Sequence, residues 1–261
     1  VLEAADHILP FMDKEIAQRL TMILKKQGVK VEAKASVQKI EGAPGAMTVS
    51  YVDKKGVEQT VTAQGVLAAA GRKANLEGLF GPDFSLELER GAIVGDVDGR
   101  TSVPHVYVIG DAKARNIQLA HVASAQGENA VAVIAGKKPP LDMSVVPSCV
   151  YTNPEIASVG LTEEGAKAAG IPVKTGKYLT GANGKCLIEG TESGYVKLVT
   201  DGTTGKLLGA QLVCPRATDM VGELTLAIQK GLTAGELSEV IHPHPTFSEM
   251  LFGAAEGLRK V

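Results

Sequence analysis

Tryptophan is absent from the 261-residue sequence, and phenylalanine and tyrosine number only five each. A core of normal density must then come from Val, Ile, Leu and Ala. Cysteine is scarce too, at Cys149, Cys186 and Cys214. Three widely spaced cysteines give no C-x-x-C pair, no zinc pattern and no disulfide framework, so no metal is expected and the reading points to a reducing cytoplasm. No apolar run approaches the ~20 residues of a membrane helix, and no signal peptide opens the chain. A membrane is therefore not an expected partner. Neither sign of charge dominates, with 27 Lys and Arg against 29 Asp and Glu, a net charge of −2. Without clustered cations, nucleic acid is not an expected partner either.

Apolar residues make up 44 % of the chain and charged residues 21 %, which excludes a disordered or fibrous chain. The length allows one large domain or two ordinary ones at about 150 residues each. Thirty glycines and twelve prolines imply short elements and tight turns. The first residue is Val1, not Met, and the run Val1-Leu2-Glu3 reads as the middle of a fold.

Ile16, Leu20, Ile23 and Leu24 recur at helical spacing, which predicts a helix over 13–27 capped by Asp13 and ended by Gly28. A short strand follows in VKVEA. Residues 46–53 and 57–63 flank Lys54-Lys55-Gly56 as a hairpin. The apolar runs 65–70 and 105–109 predict strands buried on both faces. A long helix is expected over 117–136. The composition shifts at Gly136-Lys137-Lys138-Pro139-Pro140, a candidate boundary. Beyond it the pattern predicts strands near 148–152 and 171–179, a hairpin at 194–200 and 206–213, and helices near 162–169, 216–231, 233–239 and 246–259.

Four constellations could carry chemistry. Gly110-Asp111 follows a predicted buried strand, where a carboxylate could accept from a sugar hydroxyl or simply cap a helix. Gln118-Leu119-Ala120-His121 opens a helix whose N–H groups attract anions, although an ordinary amphipathic helix with a surface His also fits. In His242-Pro243-His244-Pro245-Thr246-Phe247-Ser248-Glu249 a carboxylate could orient an imidazole for acid–base work. Thr246-x-x-Glu249 is equally a capping box. Finally, Glu3 could close the second strand of a dinucleotide-binding unit, with Ala69-Ala70-Gly71-Arg72 later, but no G-x-G-x-x-G precedes it.

In this order the segments resemble the class I pyridine nucleotide–disulfide oxidoreductases, in particular the dihydrolipoamide dehydrogenase group. VLEAADHILPFMDKEIAQRL is similar to a strand and helix of that family's NAD domain. VLAAAGRKAN resembles the turn leaving it, and TSVPHVYVIGDA with QLAHVASAQG the second FAD signature. VVPSCVYTNPEIASVGLTEEGAK resembles the opening of the interface domain, and HPHPTFSE the catalytic tract H-x-H-P-T-x-x-E. The resemblance implies an α/β remnant of two Rossmann-like nucleotide-binding domains, followed by an α+β interface domain with an antiparallel sheet. It divides the chain into a partial NAD-binding domain (1–75), a returning segment of the FAD-binding domain (76–143) and a dimerisation domain (144–261).

It also implies FAD and NAD as cofactors, with Asp111, Gln118, Leu119, Ala120 and His121 toward the flavin and Glu3, Val37 and Gly71 lining the NAD site. His244 would be the acid–base group and Glu249 its partner. A homodimer would act on a small dithiol or a lipoyl-bearing acyltransferase. The family's redox cysteine pair and FAD fingerprint are not found in this sequence, so the chain is expected to be inactive alone. A glutathione-reductase-like enzyme and a non-catalytic dimerisation module are the alternatives.

Overall fold

The computed structural model describes residues 1–191 and 193–259. Two compact units divide the chain: residues 1–67 with 147–261, and residues 68–146.

The chain begins with β1 (Leu2–Glu3) and α1 (Lys14–Lys26). Asp13 caps α1 by accepting the Glu15 N–H at 2.8 Å, and Ile16, Ala17, Leu20 and Ile23 form its buried face. The predicted helix is thus present. β2 (Glu32–Ala33) pairs parallel with β1. β3 (Ser36–Ala43), β4 (Ala46–Val52) and β5 (Glu58–Ala63) form an antiparallel sheet. The predicted hairpin is β4–β5. β3 was not expected, because all eight of its residues are exposed and no alternation marks it.

The apolar run 65–70 forms no strand, and Leu67 is 90 % exposed. A strand buried on both faces needs a ladder partner on each side, and none of the described residues supplies one.

In the second unit β6 (Leu88–Glu89) and β7 (Ala92–Ile93) make a small hairpin. Residues 105–109 also fail to form the predicted strand. Val108 is buried, but the pairing amounts to an isolated Arg100–Tyr107 bridge, flanked by bonds from Val108 N–H to the Gly99 carbonyl at 2.7 Å and from Thr101 N–H to the Val106 carbonyl at 3.1 Å. A one-turn 3-10 helix at Gly110–Ala112 follows, and then α2 (Ala120–Ile134), which begins three residues later than its spacing predicts.

The remaining residues build a five-stranded antiparallel sheet. β8 (Ser148–Val150), β9 (Ile156–Gly160), α3 (Glu163–Ala168), β10 (Val173–Leu179), α4 (Gly184–Ile188), β11 (Tyr195–Asp201), β12 (Leu207–Val213), α5 (Ala217–Gln229), α6 (Ala234–Leu237) and α7 (Glu249–Glu256) follow in order. The strand order is β10-β11-β12-β9-β8. β9 and α4 were not expected. Along a strand, alternate residues share a face. Tyr195, Val213 and Ile156 pack with Ile8, Met12, Ile16 and Leu20 of the amino-terminal segment. α7 lies on the other face, where a Cβ on Gly176 of β10 would fall inside contact distance of the Ala254 carbonyl and the Leu258 side chain. Among the described residues no helix is long and apolar enough to cross a membrane.

Candidate active site

The segment between α6 and α7 carries both candidate imidazoles on irregular backbone. His244 Nδ1 lies 2.9 Å from Glu249 Oε1. The other oxygen, Glu249 Oε2, accepts the Thr246 N–H at 2.8 Å. The predicted capping box is not formed as such, since α7 starts at Glu249 and its N-cap is Ser248. The Thr246 hydroxyl instead donates to the Pro243 carbonyl at 2.7 Å. One half of a box survives, the carboxylate reaching back to the N–H three residues earlier. The Thr246 N–H, and next the His244 ring, hold the Glu249 carboxyl below the usual carboxylate range.

An ionised carboxylate can only accept, so Nδ1 is the donor in this contact, and in the neutral ring Nε2 carries the lone pair. The His244 side chain is 75 % exposed, which leaves Nε2 open to a reactant. This is the geometry of a general base with its orienting group.

His242 is placed differently. Its side chain is only 6 % exposed, Nε2 lies 3.1 Å from Glu223 Oε1 on α5, and Nδ1 lies 3.0 Å from the Val240 carbonyl. Glu223 was missed in the sequence, because nothing in the spacing of a helix 19 residues upstream links it to the tract. Asn183 was missed as well. It is buried, caps α4 through the Cys186 N–H at 2.9 Å and donates to the Thr246 carbonyl at 3.0 Å.

The remaining candidates fall in two other places. In the second unit Arg72 pairs with Asp111 Oδ2 at 3.2 Å and donates to the Gln118 carbonyl, bringing those residues together. Gly110, just before Asp111, donates its N–H to Gln126 at 2.8 Å, and a Cβ there would strike Ala123. Leu119 is the N-cap of α2 and supplies no side-chain cap, and Ala120 and His121 begin its first turn. Gly71, beside Arg72, has φ +119°. In the first unit Glu3 Oε1 accepts the Ala5 N–H at 2.7 Å, and the Glu3 carbonyl accepts from Ala35 at 2.9 Å, two residues before Val37. A cleft of about 790 Å³ between α1 and the β4–β5 turn is lined by none of these candidates. No group of three or more potential metal ligands occurs among the described residues.

Residues 1–127 match the family profile of pyridine nucleotide-disulphide oxidoreductase, and residues 146–255 match the dimerisation domain of the same family. The chain belongs to the pyridine nucleotide–disulphide oxidoreductase family. The dihydrolipoyl dehydrogenase of Bacillus subtilis (strain 168) is 42 % identical over 98 % of this chain and 54 % of its own length. That of Thermus scotoductus is 40 % identical over 100 % of this chain and 56 % of its own. The solved structure of LpdA from Mycobacterium tuberculosis superposes with a TM-score of 0.87 at 27 % identity, covering all of this chain and 56 % of that one. The chain thus spans about half the length of the relatives it matches. The five-stranded antiparallel sheet falls in the part matched as the dimerisation domain.

Proposed function

We propose that this chain is part of an FAD-dependent dihydrolipoamide dehydrogenase, a cytoplasmic homodimer that oxidises a dithiol through an enzyme disulfide and hands the electrons to NAD⁺. The observation that carries this reading is the His244–Glu249 contact at 2.9 Å with the ring otherwise exposed. A substrate thiol brought to Nε2 would give up its proton there as its sulfur attacks a disulfide, since the thiolate is the nucleophile. One sulfur of that disulfide leaves as a thiolate and a mixed disulfide forms. Glu249 stabilises the resulting imidazolium.

The attacked disulfide is not made from Cys149, Cys186 and Cys214, which are all free thiols. Cys186 and Cys214 are buried, and burial pushes both thiols up, away from reactivity. The 261-residue chain by itself should therefore not turn over.

The cofactor residues fit their groups in chemical type. Arg72, Asp111 and the start of α2, where the N-cap Leu119 supplies no side-chain cap, offer a cation, a carboxylate and the positive end of a helix, as a flavin nucleotide requires. Glu3 uses Oε1 for the Ala5 N–H, and Oε2 can accept from a ribose hydroxyl. Bound beside these residues, FAD would offer an acceptor for the electron pair and NAD⁺ would be the final hydride acceptor. We divide the chain functionally into a partial NAD-binding domain (1–75), a returning FAD-domain segment (76–143) and a dimerisation domain (144–261). The substrate is a small dithiol or the lipoyl group of an acyltransferase.

A chimera tests this. The chain is fused behind the amino-terminal half of the Bacillus subtilis relative, loaded with flavin and assayed for NAD⁺ reduction by dihydrolipoamide. Turnover is expected, and His244→Gln should lower kcat about 10²- to 10⁴-fold. Reduction of glutathione disulfide in place of dihydrolipoamide turnover, or full activity in His244→Gln, would overturn the reading.

A further inference from the structure

His244 has little packing of its own. Its side chain is 75 % exposed, and residues 242–248 form neither helix nor strand. A misplacement of about 1 Å at such a group can cost about 10²-fold in rate, so something else must fix the tract. Its carboxyl side is held by Asn183, bonded to the Thr246 carbonyl, and by the Thr246 hydroxyl on the Pro243 carbonyl. Its amino side is held by His242.

The His242 ring is almost wholly buried and touches groups on two elements. Nε2 meets Glu223 Oε1 at 3.1 Å on α5, and the ring lies 6.2 Å from the Phe252 ring of α7. Nδ1 meets the Val240 carbonyl at 3.0 Å. A peptide carbonyl and a carboxylate can only accept. Both contacts are hydrogen bonds at once only when each ring nitrogen carries a proton, and a ring with one proton donates in one of them alone. α5 is a firm support, with Met220, Val221 and Leu224 on either side of Glu223 buried in the core.

We propose that His242 and Glu223 are a positioning pair. They tie the tract to α5 and so set the direction in which His244 Nε2 points. This rests on the acid–base reading of His244. The pair is a second imidazole–carboxylate contact only two residues from the first, but with its imidazole buried where that of the first is open. It touches no reactant and acts through the backbone of Pro243.

The test uses the 261-residue chain labelled with ¹⁵N-histidine, whose five rings are followed by long-range ¹H–¹⁵N spectra. The parent should show His242 with two ring N–H groups and His244 with one, on Nδ1. Glu223→Gln should displace or broaden the His244 ring signals while helix content and mass stay unchanged, and Glu223→Asp should restore part of the parent pattern. A merely structural contact would lower the melting temperature and leave the His244 signals in place. Superimposable His244 signals in parent and Glu223→Gln, or a single N–H on His242, would overturn the proposal. If Glu223→Gln does not fold, His242→Gln poses the same question, and if neither folds the pair is structural and the proposal fails. Full activity of His244→Gln in the chimera, with the spectra still displaced by Glu223→Gln, would sink the acid–base reading and leave the pair standing.

Discussion

Glu249 uses its two oxygens for two tasks. The sequence offers a choice between a helix cap and an orienter for His244, and the structure gives each role one oxygen. This has a consequence in acid. The Thr246 N–H and then His244 stabilise the charged form and lower the Glu249 carboxyl. A folded-state value below the unfolded one, about 4.3, makes the ionised group stabilising above that value. The contribution is lost as pH falls through the folded-state value. Glu249→Gln keeps an acceptor for Thr246 but cannot titrate. The parent should therefore lose more stability than the variant between about pH 5 and pH 3. Urea midpoints across that range decide it, and parallel pH profiles would remove Glu249 from the ionic role.

α1 is joined to the sheet by a charge as well as by its apolar face. Lys197 of β11 is 5 % exposed and lies 2.8 Å from Asp13 Oδ2, 3.2 Å from Glu15 and 3.7 Å from Glu163. Burial works against the Lys197 charge, yet the hydrogen bonds that its ammonium donates to the carboxylates win and raise its pKa. Removing one partner of a buried pair leaves the other charge unpaired, at about 3–5 kcal/mol. Lys197→Met should cost that much in urea unfolding. Adding Asp13→Asn, which keeps an oxygen to cap α1, should recover a large part, and a purely additive double variant would contradict the pairing. On the opposite face α7 lies so close to β10 that Gly176 has no room for a methyl group. Gly176→Ala should cost about 1–3 kcal/mol through overpacking, and an unchanged melting curve would show that α7 can shift freely. The buried face of α1 was legible because Ile16, Leu20 and Ile23 repeat at helical spacing. Its partners Tyr195, Val213 and Ile156 were not, since they lie more than 130 residues away. The runs 65–70 and 105–109 misled for the complementary reason. Apolar composition records a tendency to be buried, but a strand also needs a partner's backbone, and no residue type reports that.

The candidate site shows the same division between local and distant information. His244, Thr246 and Glu249 lie within six residues, so their chemistry could be read from spacing alone. Glu223 reaches the tract only once α5 is packed on the sheet, and Asn183 only once the turn before α4 is in place, and no local spacing marks either residue. One feature around the tract bears on assembly. Ile241, next to His242, is 96 % exposed, and Leu187, Ile188, Leu226 and Val240 of the same unit are exposed too. Large apolar side chains left in water favour association, and this region matches a dimerisation domain. In the proposed homodimer Ile241 would be covered by the second copy. Burying an isoleucine contributes about 1.5–3 kcal/mol, and each 1.4 kcal/mol is about tenfold in affinity. Sedimentation equilibrium should give twice the 27.1 kDa chain mass, and Ile241→Glu should raise the dimer dissociation constant at least about tenfold to a hundredfold. Val97→Glu, at a position 89 % exposed in the other unit, should leave the mass unchanged. A parent that stays monomeric at tens of micromolar would refute the dimer, while an Ile241→Glu variant as dimeric as the parent would place the interface elsewhere on the chain.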